Sequence, residues 1–173
     1  MTEQHADGPD AVVRLLVADD WAQLRAVRLA ALIEAPYAFA STLAREQAFD
    51  EDLWRRRAGA GRTFGAFDGA ALVGLATGFP VDGQPGDWHL VGMWVAPARR
   101  GQGVADWLVE AVCEQARQAG AGTITLWVTE VNDRARAFYR RLGFAPTGAR
   151  QLVRPQEPDH WEEELARDRK SVV

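Results

Sequence analysis

Val95-Ala96-Pro97-Ala98-Arg99-Arg100-Gly101-Gln102-Gly103-Val104-Ala105 joins an apolar run, Trp88 to Val95, to a long amphipathic one, and this junction decides the fold. Gly101 and Gly103 remove side chains where a ligand must approach the backbone. The first free N–H groups of the following helix point outward, with the positive end of the helix dipole behind them. Arg99 and Arg100 add full charges beside those donors, so a pyrophosphate suits the loop. Alone, Gly101-x-Gly103 equally describes a tight strand-to-helix turn. It is not the nucleotide loop Gly-x-x-x-x-Gly-Lys-Ser/Thr, and it lacks the third glycine of a dinucleotide fingerprint.

Working outward, Trp88 to Val95 reads as a strand, Gly101 to Ala119 as a helix and Thr123 to Thr129 as a strand. A second helix, Asn132 to Leu142, opens on a cap residue and closes at Gly143. Upstream, Ala11 to Val17 predicts a strand, and Asp19 or Asp20 caps a helix carrying Leu24, Val27 and Ala31 that ends before Pro36. Residues 35–50 read as irregular. Glu51 to Ala58 reads as a short helix anchored by Trp54. Arg62 to Phe67 and Ala70 to Phe79 form a hairpin across Asp68-Gly69, followed by a loop from Pro80 to Gly86. Phe144 to Gly148 and His160 to Leu165 are further strands, separated by a loop holding Pro155 and Pro158. The expectation is one α/β domain over 11–166, with a single mixed sheet and helices packed on it. Residues 1–10 read as a flexible N-terminus and 167–173 as a loose charged tail.

The chain has 173 residues, 47% of them hydrophobic, with seven Trp and seven Phe, which is enough for one real core and a strain for two. A formal charge of −4 gives no basic field for nucleic acid. The single cysteine, Cys113, makes no intramolecular disulfide, and no Cys/His spacing resembles a zinc site. A reduced, cytoplasmic setting without a structural metal is expected. Met1 to Asp10 holds no apolar leader core, and no apolar run approaches the ~20 residues of a spanning helix, so no membrane partner is expected. Cys113 shares a helical stripe with Val109, Val112 and Ala116 and reads as a structural thiol.

The junction, as Val-x-Pro-x-x-Arg followed by Gly-x-Gly-x-Ala, resembles the cofactor motif of the GNAT family of N-acetyltransferases. The core of that motif, Arg/Gln-x-x-Gly-x-Gly/Ala, is here Arg100-x-x-Gly103-x-Ala105. Asn132-Asp133-Arg134-Ala135-Arg136-Ala137-Phe138-Tyr139-Arg140-Arg141-Leu142-Gly143-Phe144 resembles the family's second motif, Asn-x-x-Ala-x-x-Phe-Tyr-x-x-x-Gly-Phe, at every named position. The resemblance is strongest from Trp88 to Phe144. It implies a mixed sheet of six or seven strands with four helices, and acetyl-CoA as acetyl donor in a sequential ternary-complex transfer. It also implies that Met93, Trp94 and Val95 pair with the pantetheine arm like an added strand. The N–H groups of Arg100, Gly101, Gln102, Gly103, Val104 and Ala105 would then hold the pyrophosphate. By the same resemblance Asn132 contacts the pantetheine arm and Tyr139 is the general acid that protonates the departing thiolate. Read alone, Phe138-Tyr139 is equally the buried face of an amphipathic helix. The arginines at 134, 136, 140 and 141 could reach the 3′-phosphate of CoA, yet most read as a solvated face.

Direct transfer needs a neutral amine, so a group or water chain must accept its proton. Glu130 and His89 are base candidates because their strands border the expected cleft, and backbone N–H near Met93 or Trp94 would stabilise the oxyanion. The parts left over for the acceptor hold Glu34, Tyr37, Phe39, Ser41, Glu46, Trp54 and Trp161, which suit an amine or small cation and equally suit core or surface. The leading expectation is a small-molecule amine acceptor. The alternatives are a protein N-terminus or lysine and, in another class, a non-catalytic acyl-CoA sensor. A homodimer through an unpaired edge strand is compatible with the sequence.

Overall fold

Among the described residues, β4, Asp87–Val95, and β5, Thr123–Thr129, are the only parallel neighbours in a seven-stranded sheet, and the candidate site hangs on how they part. The computed structural model describes residues 11–168, and the expectations for 1–10 and 169–173 lie outside them. The order across the sheet is β1-β2-β3-β4-β5-β7-β6, antiparallel at every other step. The remaining strands are β1 (Ala11–Leu15), β2 (Thr63–Asp68), β3 (Ala71–Pro80), β6 (Ala145–Leu152) and β7 (Trp161–Asp168). Five helices join them: α1 (Trp21–Glu34), α2 (Leu43–Gln47), α3 (Glu51–Gly59), α4 (Val104–Gln118) and α5 (Asp133–Arg141).

The hydrophobic pattern dictates two layers. α4 lays Val104, Leu108, Val109, Val112 and Ala116 on one face of the sheet, where they meet Ala76, Leu90, Ile124 and Leu126. Gly78 is required there, since a Cβ would stand 2.4 Å from Val112. α1 and α3 cover the other face of β2 and β3, with Leu24, Trp54 and Ala58 packed on Phe67, Leu72 and Leu75. Beneath α1, Glu46 is 1% exposed and bonded bidentately by Arg28, with Arg57 on its second oxygen.

Three expectations are corrected. The stretch 35–50 is not irregular throughout, since it contains α2, capped by the Thr42 hydroxyl accepting from the Arg45 N–H. The hairpin link is Gly69-Ala70, because Asp68 still pairs with Ala71. The last strand runs past 166: Arg167 is buried under Glu110, donates to the Leu142 carbonyl, and is no part of a loose tail.

Candidate active site

β4 and β5 pair only over Asp87–His89 and Thr123–Thr125, and then diverge. The cause is local. Thr77 pairs with Val91 and Leu75 with Trp94, so Gly92 and Met93 oppose the single Ala76, and Gly92 takes φ +64 to make this bulge. The bulge turns the end of β4 away from β5 while β5 stays paired with β7 through Thr129. The fork leaves the β5-facing edge of Met93 to Val95 without a strand partner.

A cavity of about 600 Å³ fills the fork and is open to both layers. Its lining includes Tyr139, Asn132 and Ala135 from the α5 side, Glu34, Tyr37 and Phe39 from the α1 side, and Met93, Trp94 and Val95 between them. The loop before α4 closes one end. Gly101 and Gly103 have φ of +76 and +83, and a Cβ on either would meet no atom within 4 Å, so the space above them is free. Among the described residues, the N–H groups from Gly101 to Asp106 take no hydrogen-bond partner. Open space, free donors and a helix N-terminus make an anion cradle that fits a pyrophosphate.

Glu34, expected in the acceptor region, is a hub whose partners come from β4 and the loop before α4. Its Oε2 accepts from Trp94 Nε1 at 2.6 Å and from Arg100 at 2.7 Å, while Arg100 Nε donates to the Val95 carbonyl at 2.9 Å. The Arg100 guanidinium, helped by the Trp94 N–H, holds the Glu34 carboxyl below its ordinary range. Arg99 pairs with Asp68.

Tyr139 is 8% exposed and wedged edge-on between Phe138 and Phe144, yet it lines the cavity. Burial pushes its phenol well above the ordinary value, which keeps it protonated and able to donate. Asn132 caps α5, its side-chain oxygen accepting from the Ala135 N–H at 3.1 Å, which leaves its amide donors for the cavity it lines.

The N–H groups of Gln102 and Val104 belong to the cradle, while the Gln102 side chain braces its own turn, accepting from Arg99 and donating to the Ala98 carbonyl, and the Val104 side chain is core. The two base candidates lie elsewhere. His89 sits where β4 and β5 are still paired, its Nδ1 2.5 Å from Thr125 Oγ1, outside the cavity lining. Glu130 is clasped by Arg150 at 2.5 and 2.9 Å and held below the ordinary carboxylate range by it, also outside the lining. Of the acceptor candidates, Glu46 is tied to Arg28 and Trp54 is core. Burial pushes the Cys113 thiol up to about 11, consistent with a structural role. Arg134 and Arg141, on the helix face expected to be mostly solvated, both line the cavity, Arg141 bonded to Asp106. Helical spacing does not reveal that α5 presents these two to the α4 terminus and turns Arg136 toward Glu163. Among the described residues, no cluster of His, Cys, Asp and Glu has the form of a metal site, and no helix is long and apolar enough to cross a membrane.

The sequence model described as Acetyltransferase (GNAT) family matches residues 26–144. A 54-residue stretch is 46% identical to streptothricin acetyltransferase of Streptomyces lavendulae, covering 31% of this chain and 29% of that protein. Among solved structures, yncA from Salmonella typhimurium with its cofactor acetyl-CoA superposes with a TM-score of 0.75 at 17% identity, over 91% of this chain and 93% of the other. A GCN5-related N-acetyltransferase from Kribbella flavida gives 0.73 at 22% identity, over 92% and 98%.

Proposed function

The chain belongs to the GNAT family of acetyltransferases, and we propose that it moves the acetyl group of acetyl-CoA directly onto a primary amine of a small molecule. The observation that carries this reading is the single cavity that joins the N–H cradle before α4, the Tyr139 phenol and the Glu34 carboxylate across the β4/β5 fork. Acetyl-CoA supplies an activated acyl carbon whose leaving group is a thiolate. The residues it calls for are present: glycines that let phosphate oxygens reach free N–H groups, and the unpaired edge of Met93 to Val95 for an amide-bearing arm. Arg134 and Arg141, at the same end as the cradle, would balance a further phosphate.

Tyr139 acts as the proton donor to the leaving sulfur, since a phenol kept protonated by burial retains its proton until a strong acceptor forms beside it. An N–H of the free β4 edge near Met93 or Trp94 steadies the oxyanion. On the other side of the fork, Glu34 among Tyr37, Phe39 and Trp94 offers a carboxylate and aromatic faces to an ammonium group. The local similarity to streptothricin acetyltransferase supports a small-molecule acceptor. The test is thiol release from acetyl-CoA with a panel of small primary amines against peptides bearing free N-termini or lysines. Turnover confined to small amines is expected. Turnover confined to peptides would overturn the acceptor class, and binding without turnover of either would convert the protein into a sensor.

A further inference from the structure

The end of α1 forms an acceptor-rich corner of the fork cavity. Glu34 is the last residue of the helix, and it and Ala35 both line the cavity, so the negative pole of the helix opens there. The carbonyl of Leu32 would accept from residue 36, but Pro36 has no N–H. Among the described residues the carbonyls of Leu32, Ile33 and Glu34 accept no backbone N–H. The last turn of α1 holds no basic residue to answer this pole. Arg100 and Trp94 both donate to one carboxylate oxygen of Glu34, Oε2, while Oε1 takes no hydrogen bond among the described residues. The side chain is 35% exposed, so a ligand can reach it. Tyr37 and Phe39, from the turn that follows, add aromatic lining. An uncommitted carboxylate oxygen, free carbonyls and aromatic rings in one corner are surroundings that a cation completes.

The nitrogen that attacks the acetyl group is not the one this corner suits. An attacking amine must lose its proton, whereas a carboxylate clamped by a guanidinium and an indole N–H stays ionised and keeps a bound ammonium protonated. The Arg100 guanidinium accordingly holds the Glu34 carboxyl below its ordinary range. The acetyl carbon, moreover, has its place between the Tyr139 phenol on α5 and the free edge of β4, across the fork from the end of α1.

Resting on the acetyltransferase reading above, we propose that the corner at Glu34 is a subsite for a second nitrogen of the acceptor, one that stays protonated, and that the acceptors are therefore aliphatic diamines. One amino group lies at the acetyl carbon. The other, a few methylenes away, donates to Glu34 Oε1 and to the free carbonyls of α1, with its methylenes along Tyr37 and Phe39. On their own, Glu34 and Arg100 cancel in charge. The donor changes that balance: its pyrophosphate, on the N–H groups from Gly101 onward, sets a second anion beside Arg100, and the corner then has negative charge left for a cation. Glu34 acts as a specificity determinant that touches the substrate and takes no part in proton transfer.

The experiment measures kcat/KM by thiol release for 1,3-diaminopropane through 1,6-diaminohexane, each beside its monoamine from propylamine to hexylamine, for wild type, Glu34→Gln and Glu34→Asp. Acetyl-CoA affinity and circular dichroism are followed in parallel. In wild type the best diamine should exceed its monoamine by about 30-fold, the scale of a hydrogen bond to a charged group. Glu34→Gln should bring that ratio down to about threefold or less. Glu34→Asp, with its carboxylate drawn back by one methylene, should move the optimum to the next longer diamine, a shift that a merely structural role would not produce. Wild type that prefers no diamine to its monoamine, a preference that survives in folded Glu34→Gln, or an optimum unmoved in Glu34→Asp would overturn the subsite and leave acetyl transfer to amines standing. Wild-type protein that binds acetyl-CoA and acetylates neither series would overturn the underlying reading and the subsite with it.

Discussion

Tyr139 tests the chemistry most sharply at the scale of one residue. Tyr139→Phe keeps the ring between Phe138 and Phe144 and removes only the proton donor, so kcat should fall about 100-fold while acetyl-CoA affinity is unchanged in a calorimetric titration. Because burial raises the phenol, its ionisation should not limit the rate until the pH exceeds the ordinary tyrosine value of about 10. A loss of rate near pH 8 that Tyr139→Phe abolishes would contradict this. Tyr139 and Asn132 were legible because motif spacing within one helix carries them. The Glu34, Trp94 and Arg100 hub was not, since its members stand 60 and 66 residues apart and nothing local announces the contact. Glu130 shows the converse: its sequence position suggests a base, but Arg150, 20 residues away, ties up its carboxylate.

Among the elements, the bulge in β4 is the device that opens the site. Gly92→Val places a β-branched residue at φ +64, so it should cost on the order of 1–3 kcal/mol in urea unfolding and weaken acetyl-CoA binding together. Unchanged affinity in the folded variant would show that the fork does not depend on the bulge. Asn132→Ala removes the α5 cap, at about 1 kcal/mol, and should also weaken binding of the donor. Strands and the long helices were readable because their periodicity spans whole elements, and Thr123–Thr129 coincides with its expected bounds. The bulge was not, because a glycine in an apolar strand reads the same whether its φ is positive or negative. α2 escaped because five residues barely exceed one helical turn and show no stripe.

For the molecule as a whole, the layer on the α1 face depends on the buried Glu46. Burial alone would raise its pKa, and the Arg28 and Arg57 guanidiniums more than offset that, so the folded value lies below the unfolded one. The sign follows: this carboxylate stabilises the fold above the ordinary glutamate pKa of about 4.3, and the contribution is lost as pH falls through the lowered folded value. Glu46→Gln should cost about 3–5 kcal/mol at pH 7 by leaving the arginines unpaired, and the difference from wild type in urea unfolding should shrink in acid. Sheet, helices and family were legible from two motifs and their periodicities, while the cavity wall opposite Tyr139 was not, because it brings the end of α1 and its following turn against β4, far away in sequence. The central claim is that the glycine loop before α4 holds the pyrophosphate of acetyl-CoA, and calorimetric titration of wild type against Gly103→Glu tests it most directly. Nothing occupies the space above Gly103, so the new side chain should put bulk and negative charge into the cradle. The account predicts saturable binding by wild type and none by a variant folded by circular dichroism, whereas equal binding by both, or none by folded wild type, would contradict it.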